Sequence, residues 1–467
     1  MKRQAFAPET VHAKIRENLN GYVQTLGDLV TYPGVSAHGF REKPLLETAE
    51  WVKNHILRTG ISAVEIFDLP HAAPYIFAEI KSPNPKAKTV LVYAHYDVQP
   101  TGDPALWHSE PFKADIRNGR IFGRGTADDK SGIIATLAAV DAFLKADTPL
   151  PCHIKFLFDG EEESGSPNIQ QFLKRHRSKL KADRLIVPDL VNPDEKTPSL
   201  TFSMRGLVEF EINISTMTRA CHSGLASGAV PDATAILAKL YAEALGKKGE
   251  VIIPGVGLTA KERKMYAKLK PHLRALPGSM PQFRKDLGLL TGTKTLYAKR
   301  EDLLSAIWFA PALTLVQTQV AEKGNYANRL QPELTAVFSL RLAPHQNPGK
   351  ISAALKKYFE KSQPYPAKVE LTVNHTGSGF FTDPTEKFFA HALEALAATT
   401  PRKKAIAQGA GLTIPFVHDL QRILGRMQTF LVGIEDPKSN AHAENESLSL
   451  ATFEQTIHAI ANLYSLD

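Results

Sequence analysis

Three short apolar runs and one glycine-rich turn, all before residue 190, each stop on a histidine or an acid. Thr89-Val-Leu-Val-Tyr-Ala94 runs into His95-Tyr-Asp97, Ile154-Lys-Phe-Leu-Phe158 into Asp159-Gly-Glu-Glu-Glu163, and Leu185-Ile-Val187 into Pro188-Asp189. The turn is Gly123-Arg-Gly-Thr-Ala-Asp128-Asp-Lys, and helical spacing begins just after it. Near-continuous apolar runs of this length suit strands buried on both faces. Helical patterns at 131–145 and 169–180 separate them, and the β-α-β-α order predicts an α/β fold with a mostly parallel sheet and helices on both faces. Ligands of open parallel sheets bind beyond the carboxyl ends of the strands. Histidines and carboxylates recurring there therefore constrain function as well as fold.

The glycine turn looks at first like half of a dinucleotide fingerprint, but Asp128 stands where Gly123-x-Gly125-x-x requires a third glycine. A carboxylate there would repel a pyrophosphate and suits a cation, so Asp128 is expected to be the hub of a metal site. His95, Asp97, Asp129, Glu162, Glu163 and Asp189 are its candidate companions. One strand-terminal acid is ordinarily a cap or a surface residue, but four such places in succession point to metal. Imidazole plus carboxylates without thiolate suits zinc, manganese or cobalt in a working site rather than a structural zinc. Residues i and i+2 of a strand share a face, so Asp97 can stand behind His95 and fix its tautomer. Adjacent side chains of Glu162 and Glu163 point apart, so one can bind metal while the other accepts a proton from water.

Amphipathic helices are expected at 9–30 and 44–59, and strands at 62–67 and 75–80. Near residue 200 the pattern changes to period 2, at 200–204, 208–214, 311–320, 333–342 and 367–374, with a helix at 232–245 and an irregular region at 247–300. Asp383-Pro384 reads as a helix start, followed by helices at 384–398 and 415–424 and a strand at 428–433. A catalytic domain in two pieces (1–199 and 377–467) is expected around an inserted α+β domain (200–376). At ~150 residues per domain, 467 residues suit two or three. With 43% hydrophobic and 22% charged residues, disorder is excluded as a class. No signal peptide and no membrane span is expected. The two cysteines, Cys152 and Cys221, provide no disulfide framework and fit a reducing cytoplasm. The net charge of +8 comes from scattered Lys and Arg, mildly enriched at 261–300, and is read as a solvated face with no nucleic-acid site.

His95-Tyr-Asp97, Gly123-Arg-Gly-x-x-Asp128-Asp-Lys and Glu161-Glu-Glu-Ser-Gly-Ser166 together resemble the dinuclear zinc exopeptidase family of carboxypeptidase G, carnosine dipeptidases and aminoacylases. Trp107 and Pro111-Phe112 add to the resemblance, which spans nearly the whole chain. It implies two divalent ions per subunit, zinc first. One would be held by His95, Asp128 and Asp189, the other by Asp128, Glu163 and His442 of Asn440-Ala-His-Ala-Glu-Asn-Glu446. It implies that Glu162 is the catalytic base, with Asp97 behind the first histidine. His222, in Cys221-His-Ser-Gly224, would reach a partner subunit's site and stabilise the oxyanion, so a homodimer through the inserted lid is implied too. Asn328, Arg341 and Thr413 fall where the family binds substrate. Two departures stand out: Ser131 replaces a usual glycine, and Leu412 replaces the second glycine of a substrate-facing loop. A Cβ at 412 would be strained if that loop needs positive φ.

These features imply hydrolysis of an amide bond in dipeptides or short peptides by metal-activated water. The nearest alternative is an amidohydrolase of N-acyl or N-carbamoyl amino acids. A lid of roughly the carnosinase length favours dipeptides. A non-catalytic binding protein of the same fold would need lost ligands, and no ligand position is substituted. A cysteine hydrolase on Cys221 and His222 is disfavoured because neighbours in sequence point apart.

Overall fold

The run Val90–Ala94 is fully buried in the strand Thr89–His95, as a central position in a covered sheet requires. In the computed structural model, which describes residues 6–318, 327–361 and 365–466, this strand pairs in parallel with His153–Asp159 on one side and Arg184–Val191 on the other. Arg184–Val191 pairs in parallel with Gln428–Glu435. Antiparallel strands flank this parallel centre. Tyr75–Ile80 and Ala63–Phe67 lie beyond His153–Asp159, and Ser199–Met204 lies beyond Gln428–Glu435.

The chain forms two compact units. One runs to Phe202 and takes in Thr382–Gln408 and everything from Asp419 on; the other holds Ser203–Phe381 and Gly409–His418. In the first, helix Lys130–Lys145 is apolar on nearly every face because helices Glu9–Val30 and Leu450–Tyr464 pack on it as well as the sheet. The closing helix Leu450–Tyr464 has no clean stripe in sequence, since buried Thr452, Thr456 and Asn462 interrupt it. Asp383 does not cap a helix as expected. Its carboxylate takes the N–H and hydroxyl of Thr385, closing a turn, and the helix starts later, at Lys387–Ala397.

The second unit is α+β. Its sheet has the order Ala312–Thr318, Glu333–Leu342, Gly206–Ser215, Lys368–Gly377, all antiparallel. Gly206–Ser215 and Glu333–Leu342 each bury alternate residues, which explains their period-2 pattern. Phe210 and Phe338 stack at 5.3 Å between ring centroids and meet Phe359 of helix Pro348–Lys361. The strand expected at 311–320 is described as Ala312–Thr318; 319–320 lie outside the described residues. The region expected to be irregular holds the helices Ala260–Ala267, Lys270–Ala275 and Met280–Asp286. Pro271 and Pro281 sit in their first turns, where proline costs no hydrogen bond, so these prolines start helices rather than break them.

Residues 203–381 begin and end side by side. Phe380 pairs with Met204 and Phe381 with Ser203. Just outside, the Thr382 N–H donates to the Phe202 carbonyl at 2.8 Å.

Candidate metal centre

The parallel strands of the first unit deliver their acids to one place. His95 ends Thr89–His95, and His153–Asp159 runs in register beside it, with Asp159 opposite His95. The loop beyond Asp159 turns at Gly160, where a Cβ would lie 2.3 Å from the Tyr96 hydroxyl oxygen; only glycine fits. That turn brings Glu162 and Glu163 back over the strand ends. Asp189 lies inside Arg184–Val191, where the register against Gln428–Glu435 shifts between Leu431 and Gly433. The extra residue there re-aims a side chain, as bulges beside active sites commonly do.

Two triads of donor atoms result, His95/Asp128/Asp189 and Asp128/Glu163/His442, each with its atoms within 4.8 Å of one another. Asp128 belongs to both. Its Oδ1 is 3.0 Å from His95 Nε2, and its Oδ2 is 2.9 Å from His442 Nε2. Asp189 Oδ1 lies 3.8 Å from His95 Nε2, and Glu163 Oε2 lies 3.2 Å from His442 Nε2. His442 sits at φ +64°, a left-handed conformation rare for a residue with a Cβ.

The groups behind the triads set their orientation. The Asp97 carbonyl is 3.0 Å from His95 Nδ1, closer than its carboxylate at 3.4 Å. A proton on Nδ1 leaves Nε2 free to ligate. The Asp97 carboxylate, besides standing behind His95, holds backbone. Its Oδ1 accepts the Glu162 N–H at 3.2 Å and its Oδ2 the Glu163 N–H at 3.1 Å. Gln99 donates to Glu163 Oε2 at 2.9 Å. The remaining acids of the loop are structural. Asp159 accepts the hydroxyls of Tyr93 and Ser166, and Glu161 accepts from Ala73, Tyr75 and Asn168. Glu162 differs from all of these, since its carboxylate has no hydrogen-bond partner among the described residues.

The electrostatics are those of too many acids in one place. Burial, reinforced by Asp189, Glu163 and Asp128, holds the Glu162 carboxyl well above the usual range, though His95 opposes it. Burial likewise raises Asp189 to about 6 and raises Glu163. Hydrogen bonds that His442 donates to the Asp128 and Glu163 carboxylates raise it to about 11. Imidazole nitrogens and carboxylate oxygens around a shared acid form a donor set that fits two divalent cations, whose charge would offset this repulsion. Neither cysteine belongs to a triad.

The second unit carries the other candidates in two groups. His222 pairs with Arg329 across the short ladder Cys221–His222/Arg329–Leu330, and its Nδ1 accepts the Gly224 N–H at 3.1 Å. The Ser223 hydroxyl donates to the side-chain oxygen of Asn328 at 3.0 Å, placing Asn328 next to His222. Separately, Arg341 Nη1 donates to Thr413 Oγ1 at 2.9 Å, joining residues far apart in sequence. Leu412 is not in a positive-φ conformation, so its Cβ brings no strain, and its side chain is 38% exposed.

Two acids escaped the sequence reading. Glu435 ends Gln428–Glu435 as a buried carboxylate, and burial with Asp128 and Asp189 pushes it well up. The rule that finds His95 and Asp189, an acid at the carboxyl end of a buried run, would also find it. Glu446 closes the Asn440–Glu446 motif without an expected role in it, and it is wholly buried.

The chain as a whole resembles known proteins over nearly its full length. A family model described as "Peptidase family M20/M25/M40" matches residues 91–465. The chain is 26% identical to a cysteinylglycine-S-conjugate dipeptidase of Corynebacterium striatum, over 97% of each chain. It is also 26% identical to the Cys-Gly metallodipeptidase of Saccharomyces cerevisiae, over 98% of each. A solved M20 family metallo-carboxypeptidase from Sulfolobus solfataricus superposes with a TM-score of 0.78 at 26% identity, covering 95% of this chain and 98% of that one. The chain belongs to peptidase family M20/M25/M40, a family of metallopeptidases.

Proposed function

We propose that the protein hydrolyses the peptide bond of dipeptides, or a terminal amide bond of short peptides, at a centre of two divalent cations, zinc first among them. His95, Asp128 and Asp189 would hold one cation, Asp128, Glu163 and His442 the other, with Asp128 shared. Such cations supply Lewis-acid polarisation of the carbonyl and lower the pKa of water. Glu162 takes the proton of the attacking water on its carboxylate and passes it to the leaving amine. Asp97 orients this stretch by accepting the backbone amides of both Glu162 and Glu163. The unengaged carboxylate of Glu162, next to two triads of engaged ones, carries this assignment.

The same proposal makes the second unit an inserted lid through which two chains pair. His222 of the partner subunit would donate to the oxyanion, with Asn328, Arg341 and Thr413 binding the substrate's carbonyl and carboxylate ends. His222 and the nearby Leu225 are exposed, Leu225 by 83%, which supports a surface waiting for a second copy. Free cysteines fit a reducing cytoplasm. No helix among the described residues is long and apolar enough to cross a membrane.

A panel of dipeptides, including Cys-Gly and β-Ala-His, against N-acetyl, N-succinyl and N-carbamoyl amino acids, each with zinc, manganese and cobalt, tests the assignment. Turnover of dipeptides above the acyl and carbamoyl series supports it. The reverse preference makes the protein an amidohydrolase of the same fold.

A further inference from the structure

Glu446 lies four residues after His442 and is completely buried. Beyond it, Ser447–Ser449 pairs with Arg120–Phe122, and the Glu446 carbonyl extends that ladder by accepting the Gly123 N–H at 3.0 Å. Its side chain then continues along the glycine turn. Oε2 accepts Arg124 Nη1 at 2.6 Å and the Gly125 N–H at 3.0 Å; Oε1 accepts the Ala127 N–H at 2.9 Å and the Asp128 N–H at 3.2 Å. Four donors on one carboxylate use essentially all of its lone-pair sites. Arg124 is held in turn, since Nη2 donates to the Pro100 carbonyl at 2.9 Å and its guanidinium lies 5.6 Å from the Trp107 ring centre.

We propose that Glu446, braced by Arg124, is a positioning residue for the metal centre: it clamps the backbone of Asp128 and fixes His442, on its own loop, relative to that shared ligand. This rests on the metal-centre reading above. Asp128 faces the two triads with separate oxygens, so a rotation of its backbone disturbs both at once. Glu446 grips that backbone from Gly125 to Asp128, while the short stretch 442–446 ties the opposite ligand to the same grip. A side chain lacking the second oxygen strands either Arg124 and Gly125 or Ala127 and Asp128.

The test is cobalt(II) titration of the full chain, with visible absorption spectra and chelator competition, in the parent, Glu446→Gln and Arg124→Gln. Glu446→Gln is expected to lose about 10- to 100-fold in cobalt affinity, to shift the cobalt spectrum, and to lower kcat more than it changes KM. Arg124→Gln leaves the three amide donors in place and should move the same readouts in the same direction by less. A Glu446→Gln protein with the parental cobalt affinity and spectrum, even if it melts earlier, overturns the proposal. If that variant does not fold, a parental cobalt spectrum in Arg124→Gln overturns it instead. A parent that binds no stoichiometric metal removes the metal centre itself, and the clamp with it. A parent that binds metal unchanged in both variants removes the clamp alone.

Discussion

Asp97 touches Glu162 through the backbone: its Oδ1 accepts the Glu162 N–H at 3.2 Å, while Oδ2 accepts the next N–H along. One carboxylate thus sets the main-chain direction of both the expected base and an expected ligand. Asp97→Asn replaces one acceptor oxygen by a donor that must face an N–H. The expected result is a folded protein whose metal affinity or turnover falls by about 10- to 100-fold. Metal titration and steady-state kinetics check it; parental values in both would show that the contact is incidental.

Glu162→Gln keeps the shape and removes the proton acceptor. Metal content should stay at the parental level by elemental analysis, and kcat should fall by about 10²- to 10⁴-fold. Near-normal turnover would end the assignment of Glu162 as base.

Asp128→Ala should cost both metal ions together, because each triad loses the oxygen that faces it. Elemental analysis after gel filtration reads this directly. One ion kept at full occupancy would show that Asp128 is not shared.

Three part-buried histidines outside the two triads should contribute to acid sensitivity. His12 and His458 lie with their Nδ1 atoms 2.7 Å apart, joining the first helix to the last. Burial, with His12 and Arg16 nearby, lowers His458 to about 4; burial, with Arg58 nearby, lowers His55 to about 4; burial lowers His12 as well. A histidine depressed in the folded state binds its proton more readily when unfolded. The stability these three contribute is therefore complete above about pH 6.5 and lost as pH falls towards about 4, on the order of 3 kcal/mol for each of His55 and His458. Urea melts across this window should show the slope, and His458→Gln should flatten it. An unchanged slope in His458→Gln would assign the acid sensitivity elsewhere.

Leu412 should tune selectivity rather than stability. Its conformation tolerates a side chain and it is part-exposed beside Thr413. Leu412→Gly is expected to cost no more than about 1 kcal/mol while redistributing kcat/KM across dipeptides of different side chain. A flat redistribution would remove Leu412 from the substrate's surroundings.

The central strands are legible because covered strands leave an unbroken apolar run, and the ends of those runs are legible because His95, Glu163 and Asp189 are chemically unlike what precedes them; Asp128 is legible because it breaks a glycine pattern. Residues that act through the backbone are less so. Strand spacing puts Asp97 behind His95, yet its carboxylate serves the amides of Glu162 and Glu163, a contact between distant segments that periodicity does not encode. Glu446 and the helix Leu450–Tyr464 are hidden for a related reason. Their buried polar groups find partners only in three dimensions, as when Asn462 donates to the Ala395 carbonyl. Pro271 and Pro281 mislead because a proline's effect depends on which turn of a helix it occupies.

The side-by-side ends of residues 203–381 bear on how the chain first closes. Strand Arg184–Val191 must find Gln428–Glu435 across that entire stretch, and the ligands of the centre come from both sides of it. In a disordered chain, such a search carries a closure entropy that grows with loop length. Once residues 203–381 have folded, their two ends emerge paired with one another at Ser203 and Phe381. The intervening segment then behaves as a short staple, and distant strands become near neighbours along the remaining thread. An insert that closes early would in this way act as a built-in guide for assembly of its host, and weakening the 203/381 pairing should slow refolding more than it lowers final stability, as stopped-flow refolding against equilibrium urea melts would read.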